Sequence, residues 1–183
     1  PFYPHAWHYR GIVNSQQHNY YGALQDFKQP LDISRYKGRI ITNKGIVQLS
    51  IGHHASAIQS LNQALEYSFA PARALTYRGR AFAALGQADS ALADYKAAIN
   101  KDPLAYQAFL FRGDLFQEQK EYVRALKDYN RAIQIHSNRP EAYFKRARIK
   151  MQLEDYGGAI ADFSQVLDLA PNSAISYYNR ALA

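Results

Sequence analysis

Bulky apolar residues return along this chain at fixed distances from small ones. Frames of 34 residues beginning at Pro4, Gly38, Ala72, Tyr106, Pro140 and Ala174 align five full frames and a ten-residue sixth without a gap. The eighth position of the frame reads Gly11, Gly45, Gly79, Gly113, Ala147 and Ala181, and the twentieth reads Ala23, Ala57, Ala91, Ala125 and Ala159. The twenty-fourth reads Phe27, Leu61, Tyr95, Tyr129 and Phe163, all bulky, and the twenty-seventh reads Pro30, Ala64, Ala98, Ala132 and Val166. A fixed period of this length identifies a repeat architecture in which each frame is one supersecondary unit.

Small residues opposite bulky ones are what two short antiparallel helices need to pack closely, because the small side chain lets the backbones approach and the bulky one fills the space. Each frame therefore predicts a helical hairpin. Gln87, Glu121 and Asp155 with their neighbours fall in the polar turn between its helices, and Pro103 or Pro171 stops the second helix. In frames two and four Phe69 and Ser137 stand where that proline is expected, with Pro71 and Pro140 a little later. Pro30 would cost a helix about 3 kcal/mol, so the second helix of frame one is expected to stop near Lys28, leaving Gln29 to Lys37 irregular. A lone hairpin cannot bury its apolar face, so the hairpins are expected to stack.

The columns Trp7, Gly11, Ala23 and Phe27, and again Gly79, Ala91, Tyr95, Ala98 and Pro103, resemble those of the tetratricopeptide repeat (TPR) from Pro4 to Ala183. The resemblance implies an all-α, right-handed superhelical solenoid of antiparallel helix hairpins. The chain is then one array over residues 1–183, with repeats at 4–37, 38–71, 72–105, 106–139 and 140–173 and a partial repeat at 174–183. The partial repeat carries Ala181 on an outward face with no second helix to receive it. Either that helix caps the stack or further repeats are cut away, truncation being the expectation, and self-association through the open end is one version of a role in a larger assembly.

Composition narrows the function. The chain has no Cys, which removes disulfide frameworks, thiolate metal sites and cysteine nucleophiles and favours an intracellular, mainly cytoplasmic, setting, with nuclear or ciliary placement left open. No apolar run approaches the length of a spanning helix. There is no Gly-rich phosphate loop, nucleophile elbow or His-Glu-x-x-His, so no enzyme and no cofactor is expected. His5 and His8 share a helix and His53 and His54 a turn, but neither pair has a third fixed ligand, and they are read as ordinary exposed histidines with no metal.

The family's first helices line a concave groove used for peptide segments. That resemblance places His5, His8, Tyr9 and Ile12, then Arg39, Thr42, Asn43 and Ile46, then Arg73, Thr76, Tyr77 and Arg80 on the lining. It continues through Gln107, Leu110, Phe111, Asp114 and Glu118 to Glu141, Phe144, Lys145, Arg148 and Met151, ending at Tyr178 and Asn179. Arginine beside aromatic residues is enriched at binding hot spots. Arg39, Asn43, Arg73, Tyr77 and Arg80, followed by Phe111, Phe144, Lys145 and Arg148, are thus the candidate binding residues for an extended or helical acidic segment. The carboxylate-clamp class of the family, which holds Hsp90 or Hsp70 tails, is not supported: its positions hold His8, Ile12, Asn43, Arg73 and Tyr77 here, and only Asn43 and Arg73 agree.

A second charged column is regular. Position seven reads Arg10, Lys44, Arg78, Arg112, Arg146 and Arg180, and position twenty-three reads Asp26, Ser60, Asp94, Asp128 and Asp162. Since a guanidinium forks onto a carboxylate, Arg78 with Asp94, Arg112 with Asp128 and Arg146 with Asp162 are expected as structural pairs between the helices of a hairpin. The net charge of +7 is spread thinly over the frames. Lys145, Arg146, Arg148 and Lys150 cluster on different helix faces, so no phosphate-tracking stripe, and no nucleic-acid partner, is expected. The sequence thus points to a non-catalytic adaptor or scaffold for an acidic protein segment. The competing reading is a component of a large assembly that contacts neighbours through convex faces and repeat ends.

Overall fold

The computed structural model describes residues 4–28, 34–67 and 71–183, the side chains of Pro4, His5, Ser34 and Arg35 excepted. The described residues form eleven α-helices: α1 Pro4–Gln16, α2 Tyr20–Asp26, α3 Ser34–Ser50, α4 His54–Glu66, α5 Ala72–Ala84, α6 Ala88–Lys101, α7 Tyr106–Glu118, α8 Tyr122–Ile135, α9 Pro140–Gln152, α10 Tyr156–Leu169 and α11 Ala174–Leu182. The chain divides into two compact units, Pro1–Pro103 with α1 to α6 and Leu104–Ala183 with α7 to α11.

The hairpin turns are one device repeated. Frame position fifteen holds His18, Gly52, Gly86, Lys120 and Glu154, and all five backbones are left-handed, with φ between 60° and 78°. The next residue's amide then reaches back to the first helix, as in Gln87 N to Phe82 O at 2.9 Å and Glu121 N to Phe116 O at 2.8 Å. This satisfies carbonyls that a helix end leaves open. Gln87, Glu121 and Asp155 are the N-caps of the second helices, and the Asp155 carboxylate accepts from Gly158 N at 3.0 Å.

In the first unit, α1 pairs with α2, α3 with α4 and α5 with α6, and α4 also packs on α5. One core joins Ala57, Leu61 and Ala64 to Ala74 and Ala81, and another joins Ala23 and Phe27 to Ile40 and Val47. In the second unit α7 pairs with α8 and α9 with α10, while α9 packs on α8 and α11 on α10. Ala147, Ala159 and Phe163 form a core there. The small-against-bulky columns are its physical basis. A Cβ built on Gly79 would lie 2.7 Å from Tyr95 Cε1, and one on Gly113 would lie 2.6 Å from Tyr129 Cε1.

The second helix of frame one stops near Lys28 as expected, and one local expectation is corrected. The helix α2 ends at Asp26, before Lys28, and α3 begins at Ser34, so Ser34 to Lys37 is helical and not irregular. Residues 29–33, including Pro30, lie outside the described residues, as does Phe69.

Candidate functional site: the faces of the first helices

The position-seven arginines join the two helices of four hairpins. Arg78 donates through Nε and Nη2 to Asp94 at 2.7 and 2.6 Å, Arg112 to Asp128 at 2.8 and 2.7 Å, and Arg146 through Nε to Asp162 at 2.8 Å. Arg10 forks onto Asp26 in the same way, and Asn14 adds a donor at 2.9 Å. These acids are buried, at 3 to 5% exposed. The arginine hydrogen bonds hold the Asp26 carboxyl below the usual carboxylate range despite its burial, and Asp94 raises the Arg78 guanidinium. Arg78 Nη1 also reaches Asn62 at 2.7 Å, and Arg146 Nη1 reaches Asn130 at 2.6 Å, so each arginine ties its hairpin to the preceding one. The expected pairs are all present, and their guanidinium groups are committed to the fold.

With those arginines accounted for, the remaining cations define the candidate site. In the first unit α1, α3 and α5 contain no Asp or Glu at all. Arg39 on α3 and Arg73 and Arg80 on α5 are exposed. The Arg73 guanidinium lies 5.9 Å from the Tyr77 ring centroid, and Tyr77 is half-buried against the core around Leu61. Asn43 is buried at 8% exposure. The face is cationic and aromatic, and the described carboxylates of this unit sit on the second helices, apart from Asp102 just after α6.

The second unit has a different face. Lys145 on α9 and Asp114 on α7 are ion-paired at 2.9 Å, and buried Tyr129 donates its hydroxyl to Asp114 at 2.7 Å. Burial, reinforced by Asp114, raises the Tyr129 hydroxyl far above its ordinary value. Around them lies an open cavity of about 530 Å³ whose lining includes Asp114, Gln117, Glu118, Lys145, Arg148 and Gln152. Arg148 is exposed and Phe111 half-buried. Phe144 stands edge-on to Phe163 with centroids 5.7 Å apart and belongs largely to the core.

Several residues assigned to the lining are packing residues instead. Thr42, Thr76 and Leu110 are buried, the two threonines donating to Gly38 O and Ala72 O at 2.7 Å. His8 is also buried, at 7% exposed, beside the Phe27 ring, which corrects its reading as an exposed histidine. Position five of the frame thus points into the stack, not across the face. Of the basic cluster on α9, Lys150 also pairs with Asp162 at 2.9 Å, so three of its four cations are bound to carboxylates. The Asp114–Lys145 pair joins successive frames, so the columns within a frame carry no sign of it. Its signal is position nine of one frame against position six of the next.

Two tetratricopeptide repeat models match the sequence, one over residues 113–183 and one over 42–99 and 78–140. The chain belongs to the tetratricopeptide repeat family. TPR repeats mark a protein–protein interaction or scaffold module, and the family is typically non-catalytic. Among solved structures, the chain is similar to a thermophilic TPR protein of Thermus thermophilus, with TM-score 0.83 and 18% identity over 98% of both chains. PilF of Pseudomonas aeruginosa gives 0.75 and 22% identity, covering 81% of this chain and 68% of that one. The first TPR of Spaghetti (RPAP3), bound to the HSP90 peptide SRMEEVD, gives 0.58 and 23%, covering 61% and 88%. At these identities the likeness establishes the TPR fold. A comparison with curated proteins finds no match. Among the described residues no helix is long and apolar enough to cross a membrane, and no three His, Asp or Glu side chains converge as a metal site.

Proposed function

We propose that this TPR chain is a non-catalytic adaptor or scaffold that holds an extended or helical acidic segment of a partner protein. The segment lies on the first-helix face of the first unit. The observation that carries this reading is the charge division there: the first helices have no carboxylate, and Arg39, Arg73 and Arg80 are exposed on them beside Tyr77. An acidic segment would meet forked donors and an aromatic surface on helices that carry no acid of their own. Asn43, being buried, would steady the face more than touch the ligand. The second unit, with Phe111, Phe144, Lys145 and Arg148, offers a charge-balanced face of its own, suited to a mixed segment. The peptide in the similar RPAP3 structure is itself rich in Glu and Asp, although the Hsp90/Hsp70 clamp positions do not match in this chain. A cytoplasmic setting fits the absence of cysteine from the sequence.

The test is fluorescence anisotropy with a short labelled peptide that alternates Glu or Asp with Leu, against a control carrying Gln and Asn. Binding to the acidic peptide, weakened by salt and lost in an Arg39→Glu, Arg73→Glu, Arg80→Glu variant of unchanged helicity, is the expected result. Equal binding of both peptides, or by both proteins, would refute it. A second reading, assembly through convex faces and repeat ends, is favoured by Val123, which stands 82% exposed on α8.

A further inference from the structure

The cavity of the second unit has one acidic side and one basic side. Asp114 and Glu118 stand one helical turn apart on α7, and Lys145 and Arg148 one turn apart on α9, so each helix lines the space with a single sign of charge. Gln117 and Gln152 belong to the same lining, and Tyr122 at the start of α8 adds an aromatic wall.

Part of this charge is already matched. The Asp114 carboxylate accepts from the Tyr129 hydroxyl at 2.7 Å and from Lys145 Nζ at 2.9 and 3.1 Å, so both of its oxygens are engaged and Lys145 is neutralised. Glu118, Arg148 and Lys120 also line the cavity, and all three are exposed and make no ion pair among the described residues. Glu118 and Arg148 stand on different helices and do not reach each other. The charges left over are thus one acid on α7 and two cations, one on α9 and one in the turn after α7.

That pattern selects a ligand of both signs. A purely acidic segment would set a carboxylate against Glu118, and a purely basic one would set an ammonium against Arg148 and Lys120. In an extended segment neighbouring side chains point to opposite sides, so an adjacent acid and base can reach Arg148 and Glu118 together. A second acid matches the remaining cation, Lys120. The amides of Gln117 and Gln152, each both donor and acceptor, suit the backbone of such a segment.

We propose that this cavity, on the reading that the chain holds segments of partner proteins, is a second binding site, selective for an extended segment with the order acid, base, acid. The base pairs with Glu118 and a neighbouring acid with Arg148, while the Tyr129–Asp114–Lys145 network forms a fixed wall beside them. This selectivity sets it apart from the first unit, whose first helices carry cations alone.

The test is fluorescence anisotropy of the 183-residue chain with a labelled peptide bearing Glu-Lys-Glu between Gly and Ser residues, beside controls bearing Glu-Gln-Glu and Glu-Glu-Glu. All are measured in the Arg39→Glu, Arg73→Glu, Arg80→Glu background, so that the first unit does not contribute. Saturable binding that prefers Glu-Lys-Glu to both controls is the expected result. Glu118→Lys, with helicity unchanged, should weaken that peptide by about tenfold, the factor one charge-assisted pair commands, and should strengthen binding of Glu-Glu-Glu. Arg148→Glu should weaken Glu-Lys-Glu as well. Absence of binding in this background, equal binding of the three peptides, or a preference unmoved by Glu118→Lys would overturn the proposal. The first-unit reading stands or falls separately, on whether the acidic peptide binds the chain with Arg39, Arg73 and Arg80 intact.

Discussion

Arg112 and Asp128 show what the repeated ion pair is for. Asp128 is buried, so truncating its partner strands a carboxylate away from water, whereas replacing both partners with apolar residues of similar size does not. Arg112→Ala is expected to destabilise the protein by about 3 kcal/mol in urea denaturation, and an Arg112→Met, Asp128→Leu double variant by about 1 kcal/mol or less. Two pH effects follow from the same neighbourhoods. The carboxyl of Asp26 is lowered in the folded protein, so its contribution is present above about pH 4 and is lost as the pH falls toward the folded value. Acid denaturation of Asp26→Asn should therefore be shallower than that of the parent. The hydroxyl of Tyr129 is raised, so its contribution is full below about pH 10 and declines as the pH rises past that point. Tyr129→Phe should cost about 1 kcal/mol at neutral pH and flatten the alkaline loss measured by thermal melting. These arginine pairs were legible in the sequence because their partners stand sixteen residues apart in every frame that has them. The burial of His8, Thr42, Thr76 and Leu110 was not, because those positions follow helix geometry across frames and share no chemistry within their column.

Each helical hairpin turns on one backbone conformation, and residue choice does not track it. Position fifteen is left-handed in every frame, yet His18, Lys120 and Glu154 stand where Gly52 and Gly86 meet no steric cost. A side chain there costs about 1 kcal/mol. Lys120→Gly and Glu154→Gly are each expected to raise stability by roughly that amount, and Gly86→Lys to lower it, as read by denaturant midpoints with unchanged slopes. Had Gly filled the column throughout, the turn would have been the plainest signal in the chain. The start of α3 was not legible for a related reason. Proline reports where a helix cannot continue and says nothing of where the next begins, and α3 starts at Ser34, ahead of the frame boundary at Gly38.

Across the molecule, the period of 34 residues was enough to establish hairpins and family, because the small and bulky columns meet between the two helices of a hairpin. The candidate site was legible only in part. Arg39, Arg73 and Arg80 lie exposed on carboxylate-free helices, but Lys145 is held by Asp114 of the preceding frame and Phe144 by the core of its own hairpin. The central claim is that the exposed cations of the first unit receive an acidic segment. Amide chemical shifts of the isotope-labelled protein, followed while the acidic peptide is added, test it most directly. Perturbations centred on Arg39, Arg73, Tyr77 and Arg80, reduced by salt, are the expected result. Saturable binding that leaves α3 and α5 unshifted would contradict it.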